Sequence, residues 1–174
     1  MQSDTMLFRH AKASDASSLA AISIEVWIGT YLRKGVNGFF ADYALSEFTT
    51  TKLEAIIASD NERIIVSENE DGIDGFIRLA FESPAPLSDC TGAEIKTLYV
   101  QPRHHGNGIG KGLLSEGLAQ CAALGIDAVW LAVNSENADA INFYLGKDFK
   151  RVGTTHFRIV DKAYLNEIMR RTIS

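Results

Sequence analysis

The sequence predicts an α/β domain, and three observations carry that reading. Ala93 to Val100 alternates apolar and polar residues, passes through a glycine-rich turn and enters a stretch with Leu113, Leu114, Gly117, Leu118 and Cys121 at helical spacing. Before it, Arg63-Ile64-Ile65-Val66-Ser67 and Ile73 to Phe81 read as strands separated by the tight-turn signal Asp71-Gly72. Earlier still, Leu19, Ile22, Val26 and Trp27 mark one apolar face of a helix that would pack on a sheet. The predicted order is strand, helices, an antiparallel meander, and then the strand that leads into the glycines.

Each element has a local reason. Leu7-Phe8-Arg9 reads as a short first strand, and Ser14 is the expected cap of the helix that follows. Tyr31 to Tyr43 contains Gly35 and Asn37-Gly38, breaks the helical pattern and reads as a loop ending in Phe39-Phe40. Thr51-Lys52-Leu53-Glu54 has the spacing of a capping box that opens a short helix through Ile56 and Ile57. Pro84-Ala85-Pro86 forces a loop, because proline lacks the donor that a central strand needs. At the C-terminus Tyr164, Leu165, Ile168, Met169 and Ile173 recur at spacings of three and four, which on periodicity favours an amphipathic helix.

Composition bounds the rest. With 174 residues, 46% hydrophobic and 22% charged, the chain has enough apolar material for one self-sufficient domain over 1–174, and no repeat or linker divides it. No apolar run approaches membrane-spanning length, and Met1-Gln2-Ser3-Asp4-Thr5 lacks the order of a signal peptide, so a cytoplasmic setting is expected. Cys90 and Cys121 have no Cys-x-x-Cys spacing and support neither a disulfide framework nor a zinc site. His104 and His105 are adjacent, diverge in direction and have no third ligand spaced to join them, so no metal is expected. A net charge of −5 argues against a nucleic-acid partner and permits a cationic small substrate. The reading leaves a homodimer open.

The glycine loop carries the chemistry. A helix begins with backbone N–H groups that have no internal partner, and its dipole makes that end positive, so it suits an anion. Gly106, Gly108 and Gly110 let the backbone curl and a phosphate approach. A dinucleotide fold would need an acid at the end of the next strand, but Ala128 to Val133 is followed by Asn134-Ser135-Glu136. A P-loop would need a hydroxyl where Gly112 follows Lys111. A βα turn holding no ligand stays open as a reading of this loop alone.

The next residues add a pattern. Leu131-Ala132-Val133 leads through Asn134-Ser135-Glu136-Asn137 and Ala138-Asp139-Ala140-Ile141-Asn142-Phe143-Tyr144 to Phe149. With the loop, this resembles the GNAT superfamily of acetyl-CoA-dependent N-acetyltransferases. The resemblance implies a mixed, mostly antiparallel central sheet with helices on both faces, parted where two central strands receive the cofactor. It implies that the backbone of His105, Gly106, Asn107, Gly108, Ile109, Gly110 and Lys111 holds the CoA pyrophosphate, with His105 standing where the family usually has Gln or Arg. Asp148 stands where the family has glycine, which suggests a left-handed residue that Asp tolerates better than most. The family also makes Tyr31 to Tyr43 a wall of the acceptor site and turns the C-terminal tail into a final strand hairpinned on Phe149 to Ile159; the tail is assigned as strand on that basis, against its periodicity. Trp130-Leu131-Ala132-Val133, Val152-Gly153 and His156-Phe157-Arg158 are similar to the polyamine-acetylating branch.

Amine acetylation sets chemical demands. A primary amine near pKa ~10.4 is protonated at neutral pH and must lose a proton before it attacks a thioester. Glu94, within Ala93-Glu94-Ile95 on the strand entering the loop, is the candidate base; a solvent-facing carboxylate at a strand start is the competing reading. Strand geometry sets Glu94 about 10–13 Å from Leu98, so it would act through water. By resemblance Tyr144 is the general acid for the leaving thiolate and Asn137 a contact to the pantetheine arm, while packing against Phe143 and Phe149 is the plainer role for Tyr144. The backbone of Leu98, Tyr99 and Val100 is expected to donate to the thioester oxygen. A small cationic amine is the expected acceptor, with Glu82, Glu94 and Asp148 expected at the far mouth of the cleft. A peptide N-terminus and a CoA-binding sensor without chemistry are the alternatives.

Overall fold

A computed structural model describes residues 6–88 and 90–173. Among these residues seven strands follow the order β1-β2-β3-β4-β5-β7-β6. They are β1 Leu7–His10, β2 Glu62–Asn69, β3 Gly72–Ala80, β4 Ala93–Val100, β5 Ala128–Asn134, β6 Lys150–Ile159 and β7 Lys162–Thr172. The helices are α1 Ala16–Tyr31, α2 Gly38–Glu47, α3 Thr50–Ala58, α4 Ile109–Ala123 and α5 Ala138–Leu145. β1 pairs antiparallel to β2, β4 parallel to β5, and β7 antiparallel to both β5 and β6. The C-terminal tail is therefore a strand, as the family resemblance implied and its periodicity did not.

The chain divides into two compact units, one of Met1–Leu79 with Thr97–Gly117 and one of Ala80–Lys96 with Leu118–Ser174. In the first, Leu19, Ile22, Leu53, Ile64, Val66 and Phe76 form a core in which α1 and α3 cover one face of the strands. Residues of the opposite parity in β3 meet α4. A Cβ on Gly117 would stand 2.9 Å from Ile77 Cδ1, and one on Gly75 would stand 3.2 Å from Leu113 Cδ1. Helices thus lie on both faces, and the two small residues set how closely α4 approaches. In the second unit Trp130, Ile168 and Cys90 pack together with Leu87.

Three local expectations are corrected. Ser14 does not cap α1; it lies in a short 3₁₀ turn, Ala13–Asp15, and the side chain that closes this turn is Asp15, which accepts from Lys12 N at 2.7 Å. Arg9 grips the same carboxylate from two nitrogens at 2.8 and 3.0 Å, and this hydrogen bonding holds the Asp15 pKa below its ordinary value. The cap of α3 is Thr49, whose Oγ1 accepts from Lys52 N at 3.2 Å, two residues before the predicted box. Within Tyr31 to Tyr43 a helix begins where a loop was expected. Asn37 is its cap, accepting from Phe40 N at 3.1 Å, because the Asn-Gly pair that breaks one helix also suits the start of the next. Trp27 of α1 meets Tyr31, Phe40 and Tyr43 at ring separations of 5.1, 5.8 and 5.1 Å, so aromatic packing rather than turn chemistry orders this segment.

Candidate functional site

The first unit carries Leu98, Tyr99, Val100 and the loop from His105 to Lys111; the second carries Glu94, Asn137 and Tyr144. β4 contributes to both, with Ala93 to Lys96 in one and Thr97 to Val100 in the other. Ala93 and Ile95 are buried and Glu94 half-buried, but from Thr97 to Val100 every residue is half-buried, so the period-two pattern of the strand ends where the loop approaches.

The end of β4 is fastened firmly. Gln101 N donates to Asp74 O at 2.9 Å, Gln101 Nε2 donates to Glu25 at 3.1 Å, and the Tyr99 ring meets Phe76 edge-on at 5.8 Å. A 3₁₀ turn, Pro102–His104, follows. His105 Nε2–H donates to the Val100 carbonyl at 3.0 Å, which closes the loop back onto the strand that precedes it.

The loop fits a phosphate. Gly106 and Gly108 have φ of 84° and 82°, a region that favours glycine. Both are exposed, and a Cβ would meet nothing within 4 Å at Gly106 and only Met6 Cε at 4.0 Å at Gly108. Their glycine identity therefore serves backbone conformation and access from outside, not internal packing. Gly112 N donates to Gly108 O at 2.9 Å, the first bond of α4. The amides of Ile109, Gly110 and Lys111 precede that bond and lack intrahelical partners, and the positive end of the α4 dipole lies with them. Ile109 is buried at 4% exposure and anchors the turn, while Asn107 and Lys111 are exposed.

In the second unit α5 places Tyr144. Asn137 caps the helix by accepting from Ala140 N at 3.2 Å. At the other end the Tyr144 carbonyl accepts from Lys147 N at 2.9 Å and Phe149 N at 3.1 Å, and Asp148 takes φ 67°, the left-handed position its sequence context suggested. The Tyr144 ring contacts Phe143 and Phe149 at 5.2 and 5.3 Å and is 8% exposed. Burial pushes its phenol pKa above the ordinary value, so it stays protonated, and among the described residues its hydroxyl has no hydrogen-bond partner.

Glu94 stands on β4 opposite Trp130 and accepts a hydrogen bond from Ser83 Oγ. Ser83, in the proline-containing loop, was missed from sequence because nothing in its spacing ties it to a strand eleven residues later. Glu82 and Asp148 are exposed. Among the described residues no group of three or more His, Cys, Asp or Glu side chains is placed to hold a metal, and no helix is long and apolar enough to cross a membrane.

The family model described as "Acetyltransferase (GNAT) family" matches residues 32–147, and the chain belongs to that family. It is an acyltransferase by that membership, with acetyl-CoA as cosubstrate. Relatives include uncharacterized N-acetyltransferases of Mycobacterium bovis and Mycobacterium tuberculosis, each 26% identical over 146 residues, covering 84% of this chain and 90% of theirs. The fold is similar to a PaiA N-acetyltransferase of Thermoplasma acidophilum in complex with coenzyme A, with TM-score 0.79, 22% identity and coverage of 97% of this chain and 99% of that one. It is also similar to YncA of Salmonella typhimurium with acetyl-CoA, with TM-score 0.71, 17% identity and coverage of 98% and 95%.

Proposed function

We propose that the whole chain works as one cytoplasmic N-acetyltransferase domain that moves the acetyl group of acetyl-CoA to a small cationic amine of the polyamine type. The observation that carries the transfer reading is the loop of exposed positive-φ glycines ahead of α4, preceded on the same strand by a half-buried glutamate. The backbone from His105 to Lys111 holds the pyrophosphate, Asn137 contacts the pantetheine arm, and the amides of Leu98 to Val100 donate to the thioester oxygen as charge develops there. Glu94, through water, takes a proton from the ammonium; the freed nitrogen attacks the thioester carbon, the carbon–sulfur bond breaks as Tyr144 gives its proton to the sulfur, and the second proton of the attacking nitrogen leaves through solvent and restores the Tyr144 phenol, so that amide and free thiol are formed with one net proton released from Glu94. Ser83 keeps the Glu94 carboxylate oriented.

The polyamine reading is supported by the acidic balance of the chain and by Glu82, Glu94 and Asp148, which lie in one unit. A carboxylate holding a distal nitrogen makes a charge-assisted contact, which salt weakens. Free-thiol release with acetyl-CoA should therefore show turnover of spermidine, with a Michaelis constant for the amine that rises with salt while that for acetyl-CoA changes less. Turnover of short peptides and none of spermidine would overturn the polyamine reading and favour N-terminal acetylation. CoA binding with no turnover of any amine would make the protein a sensor.

A further inference from the structure

The connection from β3 to β4 takes a long way round. The two strands are neighbours in the sheet, yet the chain between Ala80 and Ala93 reaches Gly153 on β6, the strand at the end of the same order. Strand register sets the ground it crosses: Glu94 stands opposite Trp130, Trp130 opposite Arg170, and Ile168, two residues before Arg170, opposite Gly153. Partners across a ladder share a face, so Glu94, Trp130 and Ile168 stand on one side of the second unit, and a Cβ on Gly153 would join them. On that side Ser83 Oγ donates to the Glu94 carboxylate, while Leu87 packs with Trp130, Ile168 and Cys90. A Cβ on Gly153 would stand 2.5 Å from Leu87 Cδ1, too close for two carbons, so the glycine leaves a notch that the leucine fills.

The span between the two contacts is nearly taut. From β4 across β5 and β7 to β6 is three strand spacings, about 14 Å. Ser83 and Leu87 are four residues apart, and four extended residues reach at most about 14 Å. The sequence enforces that extension. Pro84 and Pro86 have φ fixed by their rings, and Ser83 and Ala85, each followed by a proline, are biased to extended backbone. No turn or bend interrupts residues 83–85, and Leu87 is tied from behind by Cys90 N, which donates to its carbonyl at 3.1 Å. A strut without slack carries a displacement at one end to the other, so where Leu87 sits decides where the Ser83 hydroxyl sits.

We propose that Leu87 is a positioning residue for acetyl transfer: seated in the Gly153 notch, it holds Ser83 against Glu94 through the Pro84-Ala85-Pro86 strut. This rests on the reading that Glu94 is the base. The test measures the single-turnover rate of acetylation of spermidine and of a short peptide, with calorimetry of CoA binding and thermal unfolding to show which variants are folded. Ser83→Ala should lower the rate about tenfold, part of what a general base supplies. Leu87→Ala should lower it by a similar factor, and so should Gly153→Ala, which evicts the leucine without shortening it. Leu87→Met, which keeps the volume, should stay within about twofold of wild type, and CoA affinity should be unchanged in every variant. Because Leu87 acts through Ser83, the double variant Ser83→Ala/Leu87→Ala should be no slower than Ser83→Ala alone, an outcome that mere loosening of the fold does not give. A folded Leu87→Ala or Gly153→Ala with the wild-type rate, or a double variant slowed by the product of the two losses, overturns the role of Leu87 and leaves Glu94 as base while Glu94→Gln is slow. A wild-type rate in Glu94→Gln overturns both readings, as does the absence of turnover with either amine.

Discussion

Replacing Tyr144 by Phe removes one oxygen and leaves the rings that surround it. Among the described residues that hydroxyl makes no hydrogen bond, and the contacts at 5.2 and 5.3 Å belong to the ring, which Phe reproduces. Its loss leaves no orphaned partner behind, so folding stability should stay within about 0.5 kcal/mol of wild type in urea unfolding. Catalysis should respond very differently. A general acid contributes roughly 10²–10⁴ in rate, which corresponds to about 3–5 kcal/mol of barrier at 1.36 kcal/mol per decade. The assay pairs steady-state thiol release, under conditions where chemistry limits turnover, with calorimetry of CoA binding, which should be nearly unchanged. An unchanged rate would return Tyr144 to ordinary packing. A fall in stability above about 2 kcal/mol would show that its hydroxyl is a structural group and that rate loss has another origin.

Two further outcomes are expected. Gly108→Glu adds bulk at φ 82° and negative charge in front of the α4 amides, and should abolish CoA binding in calorimetry; wild-type affinity would sink the loop as the pyrophosphate site. Asp15→Asn weakens the two-pronged grip of Arg9 at a side chain only 11% exposed, and should cost about 1–3 kcal/mol at neutral pH. Because the folded pKa of Asp15 is depressed, its contribution is present above the ordinary carboxylate value of about 3.9 and fades as pH falls below it toward the folded value. Unfolding curves of wild type and variant should converge through that window, and a constant gap down to pH ~2 would refute the linkage.

What could be read from the sequence was whatever one residue type decides locally. The glycine loop was legible because positive φ needs glycine, and Asp148 because a family glycine position filled by Asp implies the same conformation, found at φ 67°. β7 misled on periodicity for a physical reason. It lies between β5 and β6, and Ile168 and Met169, adjacent and of opposite parity, are both fully buried, so alternation disappears where both faces are covered. α2 was hidden because Asn37-Gly38 has two uses, stopping a helix and starting one, and only the rings packed on Trp27 decide between them. Caps at Thr49 rather than Thr51, and at Asp15 rather than Ser14, depend on which of several adjacent hydroxyls or carboxylates meets an amide. Ser83 became visible only once a loop contact brought its hydroxyl to the Glu94 carboxylate.

The strand order ends on β1 and β6, and these two strands bear on how the protein behaves at high concentration. A sheet edge presents backbone donors and acceptors to any strand that drifts past, and is a template for aggregation unless it is blunted. β1 is only four residues long, a poor template. β6 has ten, but it carries Lys150, Arg151 and Arg158 on a largely exposed strand, and its register slips between Arg151 and Gly153. Two such edges meeting antiparallel would set cation against cation, and the irregularity spoils continuous pairing. Charge-removing substitutions on β6 made to aid crystallisation would strip that protection, and clumping of otherwise native protein is the consequence to expect.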